Sequence, residues 1–475
     1  MPFIRNLSFI AVAEIIAKAV GLFSTIYLAR IIEPSGFGLL NFAMVAAGYF
    51  AIVVNLGFND YGVLKVAPDR SVKNIEAIVG ETVLFRLILG IISFVILFAA
   101  TFFIPQFREI RILLLIAGAM MFSQAINIDW LYTAIEKFNI YSFSKIISNL
   151  FYLGILVLIV NTPDDLSEAA FSFTASQFLL TLCLMAVFFY QFGWPRLEIS
   201  LEKLKKVFVF ILPLAMVSIG AKIYYSVDVL ILGFMVSSDQ LGYYTAALKL
   251  IALGINFKLL LGQLIYPKIV NYVNQSVPLF KSKAALIQKY CFIIGFGIGI
   301  LLIYLAGDII HIIYGEKYAG AIWPLKITAL VLVLEIVGIV YPYTIITIDR
   351  KLYAAIILGS TILNIALNIS LIPIMGINGA AIAYVLASVM LFGVSYILMK
   401  KRLTGIDVKK TIFTPLLAAM GMILSIEMFK GLSLYLSVGI GIVVFLAVLM
   451  FRGITFRQLA LELGFKNFEV PKTES

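Results

Sequence analysis

The sequence predicts an all-α polytopic membrane protein of about fourteen transmembrane helices, and three observations carry that expectation. The chain has 475 residues, 62% hydrophobic and only 13% charged, about half the roughly 25% charge of soluble domains. Mean hydropathy is +1.07. The apolar residues fall in continuous runs of about twenty, the length needed to cross the hydrocarbon, and not in the alternating pattern of a membrane barrel. A cytosolic enzyme, a secreted disulfide scaffold and a disordered chain are excluded together, because each needs far more polar surface.

The runs begin near Ile10, Phe37, Val83, Ile112, Tyr141, Ala169, Val207, Leu241, Lys289, Ile322, Leu352, Ile377, Thr411 and Leu432. Short turn-rich stretches join them, such as Glu33-Pro-Ser-Gly36 and Asn161-Thr-Pro-Asp-Asp165. The first run carries Glu14 and Lys18, too polar for the core of a cleavable signal. With the N-terminus on side one, 25 of the 36 Lys and Arg residues fall on that side, 5 on the other and 6 within spans. Such a bias puts side one, and with it both termini, in the cytoplasm. It also accounts for the net charge of +11 without a nucleic-acid partner.

The first helix pair recurs 204 residues later. Glu33-Pro-Ser-Gly-Phe-Gly38 aligns with Ser237-Ser-Asp-Gln-Leu-Gly242, and extending the register backward puts Lys18 onto Lys222. A repeat of six helices enters the membrane twice in the same sense, which predicts two pseudo-symmetric lobes about an axis along the membrane normal. The expected division is an N-lobe over 1–192, a cytoplasmic linker over 193–206, a C-lobe over 207–403, and helices thirteen and fourteen with the tail over 404–475. The last two helices either extend the second lobe or form a docking groove.

Catalytic and cofactor signals are lacking. One histidine, His311, and two cysteines, Cys183 and Cys291, cannot build a metal cluster, and no phosphate-binding Walker loop is present. His311 reads as a surface-loop residue, the cysteines as small buried hydrophobes, and Gly295-Phe-Gly-Ile-Gly299 as close helix packing. No cofactor is expected and the chain is not expected to be an enzyme.

Charges within the spans are the candidate functional residues, since each costs at least about 2.5–3.5 kcal/mol in the middle of a bilayer unless it has a partner or water. Arg86, Lys258 and Lys326 lie near helix ends and are expected to snorkel. Glu14, Lys18, Lys222, Asp228, Lys249 and Glu335 lie deeper, and Glu335 is expected to be structurally paired. Glu14 and Lys18 share a helix face, continued by Gly21 and Thr25. Ser218, Lys222 and Tyr225 form the matching stripe on helix seven. Thr245, Lys249, Asn256 and Gln263 line helix eight, and Asn41 and Asn55 give helix two a thinner stripe. Asp228 is turned about 120° from Lys222. If the stripes face inward they line one cavity, with Lys18, Lys222 and Lys249 outnumbering the carboxylates. Ammonium groups suit an anionic, phosphate-bearing headgroup.

Several stretches resemble the polysaccharide flippases of the MOP superfamily: Leu28-Ala-Arg-Ile-Ile-Glu-Pro-Ser-Gly-Phe-Gly38, Ile128-Asp-Trp-Leu-Tyr-Thr-Ala-Ile-Glu-Lys137, Leu212-Pro213 through Asp228-Val-Leu-Ile-Leu-Gly233, Tyr314-Gly-Glu-Lys-Tyr318 and Leu371-Ile-Pro-Ile-Met-Gly-Ile-Asn-Gly-Ala-Ala381. The resemblance spans residues 5 to 402 and is to the O-antigen and capsule branch, with more distant similarity to lipid II flippases and multidrug MATE exporters. It implies passage of an undecaprenyl-pyrophosphate-linked oligosaccharide from the cytoplasmic to the outer leaflet by alternating access. The substrate, membrane lipids and polysaccharide polymerase or assembly machinery would be the partners. The cationic cavity residues of the family carry over to Lys18 and Lys222, and less directly to Lys249, with lysine where relatives often have arginine. A cation-coupled exporter of small molecules is the alternative reading. A membrane glycosyltransferase or assembly scaffold is a third, disfavoured by outer loops too short for a catalytic loop.

The charge bias makes a direct prediction. Reporter domains fused at the C-terminus and at the 193–206 linker report cytoplasmic placement, and a fusion after Asn161 reports the outer face. The opposite pattern would overturn the orientation.

Overall fold

The computed structural model describes residues 2–196, 201–403 and 408–452; the side chains of residues 2–15, 201–206, 209, 212–218, 221 and 408–410 lie outside the described set. The described chain is helical. In order, α1 is Pro2–Asn55, α2 Phe58–Val66, α3 Val72–Phe103, α4 Pro105–Glu109, α5 Arg111–Gly118, α6 Met120–Ile126, α7 Asp129–Ala134, α8 Phe138–Ile159, α9 Leu166–Phe192 and α10 Leu201–Met235. Then follow α11 Ser238–Gln275, α12 Val277–Tyr304, α13 Ala306–Ile313, a 3₁₀ turn Glu316–Ala321, α14 Ile322–Val337, α15 Val340–Ile348, α16 Arg350–Met375, α17 Ile377–Arg402, α18 Val408–Met428 and α19 Leu434–Phe451. Twelve described stretches are long and apolar enough to span a bilayer, one of them the 51-residue Ile16–Val66. That one is broken at Glu33, and α10 adds a further long helix, so the architecture is roughly the fourteen crossings expected.

The break in α1 is sharper than the turn the sequence suggested. Only Glu33 leaves helical geometry, at φ 60 and ψ 176. Pro34 follows, without an N–H to donate and with a ring that disfavours helical backbone just before it. Farther along, Leu56 (φ 22) and Gly57 (φ 84) separate α1 from α2, and the crossing that includes α5, α6 and α7 is interrupted at Ala119 and again at Asn127–Ile128. Irregular backbone in a membrane protein must be buried in protein or face water, because lipid offers no hydrogen bonds.

The chain divides into two compact units, residues 1–246 with 312–320, and residues 247–311 with 321–475. Within the first, α1 packs against α3, α5, α8 and α10. Its tightest feature joins the two copies of the repeat. A Cβ added at Gly38 would lie 2.2 Å from the Ser238 carbonyl oxygen and 3.2 Å from the Gly242 Cα, while one added at Gly242 would lie 1.9 Å from the Pro34 carbonyl oxygen. Pro34 and Ser238 are equivalent at the 204-residue offset, as are Gly38 and Gly242. Each glycine therefore meets the partner of the other, the reciprocal contact pattern of a two-fold. Side chains are absent on both sides, so two backbones touch, the close approach that small residues permit between membrane helices.

Loops are tied by local hydrogen bonds. The Asp165 carboxylate accepts the backbone N–H of Asn161 and of Thr162, each at 2.8 Å, and these donors hold its pKa below the usual carboxylate range. Asp349 caps α16 by accepting the Leu352 N–H at 3.0 Å and pairs with Arg402, also at 3.0 Å. The amide first and the guanidinium second keep its carboxyl depressed too. After α9 the chain turns at Gly193 (φ 86) and lies across α3. There Arg196 donates its backbone N–H to the Glu76 carbonyl at 3.0 Å, and a Cβ at Gly80 would strike the Arg196 carbonyl at 2.1 Å. The start of the expected linker is thus pinned to a membrane helix, while residues 197–200 lie outside the described set.

In the second unit α12, α14, α16 and α17 pack together, and the glycine run behaves as expected. Added Cβ atoms at Gly295 and Gly299 would meet Val337 at 2.8 Å and Val333 at 2.1 Å on α14. Helices α18 and α19 pack on each other and on α12 through Tyr290, Ile293, Met422, Ile426 and Phe445. Cys291 is buried and Cys183 half-buried. His311 corrects the sequence reading, being half-buried on α13 and not in a surface loop. Lys258 is a second correction. Instead of snorkelling, its side chain is 13% exposed and its Nζ lies 2.8 Å from Glu335 Oε2, whose side chain is fully buried. A carboxylate waiting on α14 outweighs the reach to the membrane surface, and the expected pairing of Glu335 is met.

Two stability outcomes follow. Gly38→Ala destabilises the detergent-solubilised protein by about 3 kcal/mol or more, because backbone on the other side cannot yield. Gly21→Ala, which meets nothing within 4 Å, stabilises by about 0.5 kcal/mol through helix propensity. Thermal midpoints of both variants read the contrast. Lys258→Met alone costs about 3–5 kcal/mol by stranding the Glu335 carboxylate, whereas Lys258→Met with Glu335→Leu restores most of the loss. A double-mutant cycle showing additive effects would contradict the pairing.

Candidate functional site

The sequence candidates separate between the two units. Lys18, Asn41, Lys222, Tyr225 and Asp228 belong to the first, Lys249 and Asn256 to the second. The side chains of Glu14 and Ser218 lie outside the described residues. Lys18 is half-buried on α1, Lys249 is exposed and Asn256 half-buried on α11.

Lys222 is the candidate whose surroundings are best defined. It sits on α10 with an exposed side chain, and its Nζ points over Gly48, 3.8 Å from where a Cβ there would stand. The small residue leaves room for the ammonium beside α1. Met120 lines the same spot from α6, its Cε 3.9 Å from that position. One turn on, the Ser226 hydroxyl donates to the Lys222 carbonyl at 2.8 Å and lies 3.3 Å from the Tyr49 hydroxyl. Tyr225, at 39% exposure, shares the face and stands edge-on to Tyr224 with ring centroids 5.0 Å apart. No described carboxylate forms an ion pair with Lys222. Lys222 is an exposed residue on a helix expected from its apolar run to cross the membrane, where an ammonium requires water or an anion because hydrocarbon would penalise it heavily.

Asp228 is not part of that face. It is 1% exposed and accepts a hydrogen bond from the Tyr244 hydroxyl of α11, a tie inside the first unit. The angular offset of 120° on the helix already set it apart, and the structure supplies the partner. Asn41 likewise spends its amide on its own helix, donating to the Phe37 carbonyl at 2.7 Å.

The polar centre that sequence reasoning missed surrounds Arg86. Its side chain lies in the interior, the residue only 2% exposed, and does not snorkel as expected. The guanidinium donates to Asn55 Oδ1 at 2.5 Å, to the Asn127 carbonyl at 2.9 Å and to Asn59 Oδ1 at 3.4 Å. Asn55 in turn donates to Gln124 Oε1 at 3.0 Å. One arginine thus satisfies the backbone carbonyl of Asn127 at the α6–α7 break and ties it to the side chains of Asn55 and Asn59, which flank the α1–α2 break. Asp129 opens α7, its carboxylate accepting the Trp130 N–H at 2.8 Å. The usable signals were Asn55 and Asn59 at helical spacing around Leu56-Gly57, and the polar pair Asn127 and Asp129 within a run expected to span.

A family model described as polysaccharide biosynthesis protein matches residues 3–273. A candidate O-antigen transporter of Escherichia coli (strain K12) is 22% identical over 387 residues, covering 80% of this chain and 92% of that protein. Another from Shigella dysenteriae is 22% identical over 297 residues, covering 62% and 73% respectively. Among solved structures, the lipid II flippase MurJ in an inward closed conformation aligns with a TM-score of 0.80 at 15% identity, covering 95% of this chain and 99% of that one. An inward-facing multidrug resistance MATE family transporter of the MOP superfamily aligns with a TM-score of 0.64 at 16% identity, covering 83% and 96%. At such identities the structural likeness establishes the fold alone. The family match is of a different kind, for it spans more than half of the chain and takes in the reciprocal glycines, the Arg86 centre and Lys222. The chain is a multi-pass membrane protein whose fold is like that of the MurJ and MATE structures, and it belongs to the polysaccharide biosynthesis protein family.

Proposed function

We propose that the chain moves an undecaprenyl-pyrophosphate-linked oligosaccharide, a building unit of a surface polysaccharide such as O-antigen or capsule, from the cytoplasmic to the outer leaflet of the inner membrane. The observation that carries this reading is Lys222, an exposed residue on a long helix expected to span, with no described carboxylate paired to it. A pyrophosphate is the anion that arrives with a membrane-embedded lipid, and a lysine binds it as a point charge without the bidentate fork of arginine. Lys18, the repeat-equivalent lysine, serves the same headgroup. Tyr225, Tyr49 and Ser226 offer the hydroxyls and ring faces that sugars require. No covalent bond is made or broken. The candidate O-antigen transporters among its relatives support this cargo class, and the MurJ-like fold supports a lipid-linked one. Alternating access presents the lysines first to one face of the membrane and then to the other. Polymerase machinery at the outer face would take up the product.

The test uses cells that depend on this chain for their surface glycan. Lys222→Ala lowers export roughly 10- to 100-fold at equal membrane levels, the loss of one charge-assisted contact of about 1.5–3 kcal/mol. Lys18→Ala produces a smaller loss, the double variant abolishes export and Lys222→Arg retains it. Wild-type glycan in the double variant would refute the headgroup role.

A further inference from the structure

We propose that residues 312–320 form a releasable strap that closes the outer exit of the first unit and must detach for cargo to leave. This rests on the translocation reading above, but its geometry is independent of what is carried. The segment is compact with residues 1–246, whereas the chain on both sides of it, 247–311 and 321–475, belongs to the other unit. A nine-residue excursion of that kind is held by its side chains, and each tie is visible. Arg30 donates from Nε to the Ile313 carbonyl at 2.9 Å and from Nη2 to the Ile312 carbonyl. Lys317 pairs with Glu33. The Tyr318 hydroxyl donates to the Ala29 carbonyl at 2.8 Å, and the Tyr314 hydroxyl to the Ala246 carbonyl at 3.3 Å.

Aromatic rings complete the closure. Phe37 stands 6.4 Å from Tyr314 and 6.2 Å from Tyr318 between ring centroids, Tyr243 meets Tyr318 at 6.4 Å, and Gly320 is seated so close to Tyr243 that a Cβ would lie 2.4 Å from its ring. Phe37 and Tyr318 are 1% exposed and Tyr314 3%. The strap thus rests on both repeat copies, on 29–37 of α1 and on 243–246 of α11, next to the Gly38–Gly242 crossing. The charge bias assigns that end to the outer face.

Two properties make the closure reversible. Its ionic tie is exposed, with Lys317 at 68% and Glu33 at 40% side-chain exposure, so water replaces it at little cost. The strap also contains a pivot. Gly315 adopts φ 92 with open space around it, a conformation that any other residue would strain. The tyrosine bonds go to backbone carbonyls, so they reform in one register only.

The test places Glu33→Cys with Lys317→Cys in a Cys183→Ala/Cys291→Ala background and bridges the exposed pair with a short, reductively cleavable bifunctional thiol reagent. A separate cysteine at Ser226, beside Lys222, is read by labelling with a membrane-impermeant maleimide from outside after the bridging treatment, against a Ser226→Cys protein without the strap pair given the same treatment, so that capping of the reporter thiol by the reagent is subtracted. Bridging is expected to reduce both glycan export and Ser226→Cys labelling at least ten-fold, with recovery of export after cleavage. In the unbridged protein, Lys317→Glu, which sets like charges together, is expected to raise outside labelling several-fold, and the swap Glu33→Lys with Lys317→Glu returns it to the original level. Bridged protein that exports and labels at the unbridged rate overturns the strap. Labelling that follows the bridge in a protein that never exports glycan upholds the strap and refutes the cargo.

Discussion

The contact on which the first unit depends is backbone against backbone, where Gly38 meets Ser238 and Gly242 meets Pro34. Everything around it is arranged by that approach. Glu33 leaves helical geometry one residue before Pro34 so that the chain can turn into the crossing. Phe37 projects beside the crossing and gathers Tyr314 and Tyr318, and Phe42, one helical turn past Gly38, lies where a Cβ at Gly233 would stand, 2.1 Å from its ring. Van der Waals contact between small residues is the available adhesive where lipid tails remove the hydrophobic drive between helices. A larger residue at either glycine would separate the helices that these aromatic contacts need together.

A second constraint is the handling of charge at membrane depth, and the chain solves it in three ways. Lys258 is neutralised by Glu335. Arg86 is engaged by amide and carbonyl oxygens at two helix breaks, so that an expensive residue pays for irregular backbone that lipid would otherwise forbid. Among the described residues, Lys222 has neither arrangement. The difference between a charge that is satisfied and one that is presented is what distinguishes scaffold from candidate site in this protein.

Much of this was legible in the amino-acid sequence. Helix number and class followed from run length, and the repeat offset found Gly38 and Gly242 before any coordinate did. Identity of side was harder. Arg86 and Lys258 sit near the ends of their runs, which suggested snorkelling, but distance from a helix end does not reveal which way a side chain turns or whether a polar partner waits on a distant helix. Asn55 and Asn127 are 72 positions apart in sequence and meet at one guanidinium. Asp228 was the opposite case, since its angle to Lys222 follows from helical geometry alone. The ties of residues 312–320 had no periodic signature, because they are made by carbonyls and aromatic edges that the Tyr-Gly-Glu-Lys-Tyr motif does not announce.

The reciprocity of the glycine crossing reaches back to the origin of the chain. A half-length ancestor carrying one copy of the repeat would have placed its glycine against the same segment of a second molecule, an isologous contact. In such a dimer every substitution at the crossing occurred twice, and only the smallest residue could survive on both sides. In a single chain the two sides of the contact are separate positions, and they hold Pro34 on one side and Ser238 on the other. They also turn differently, through Glu33 alone in the first copy and through Val236 and Ser237 in the second.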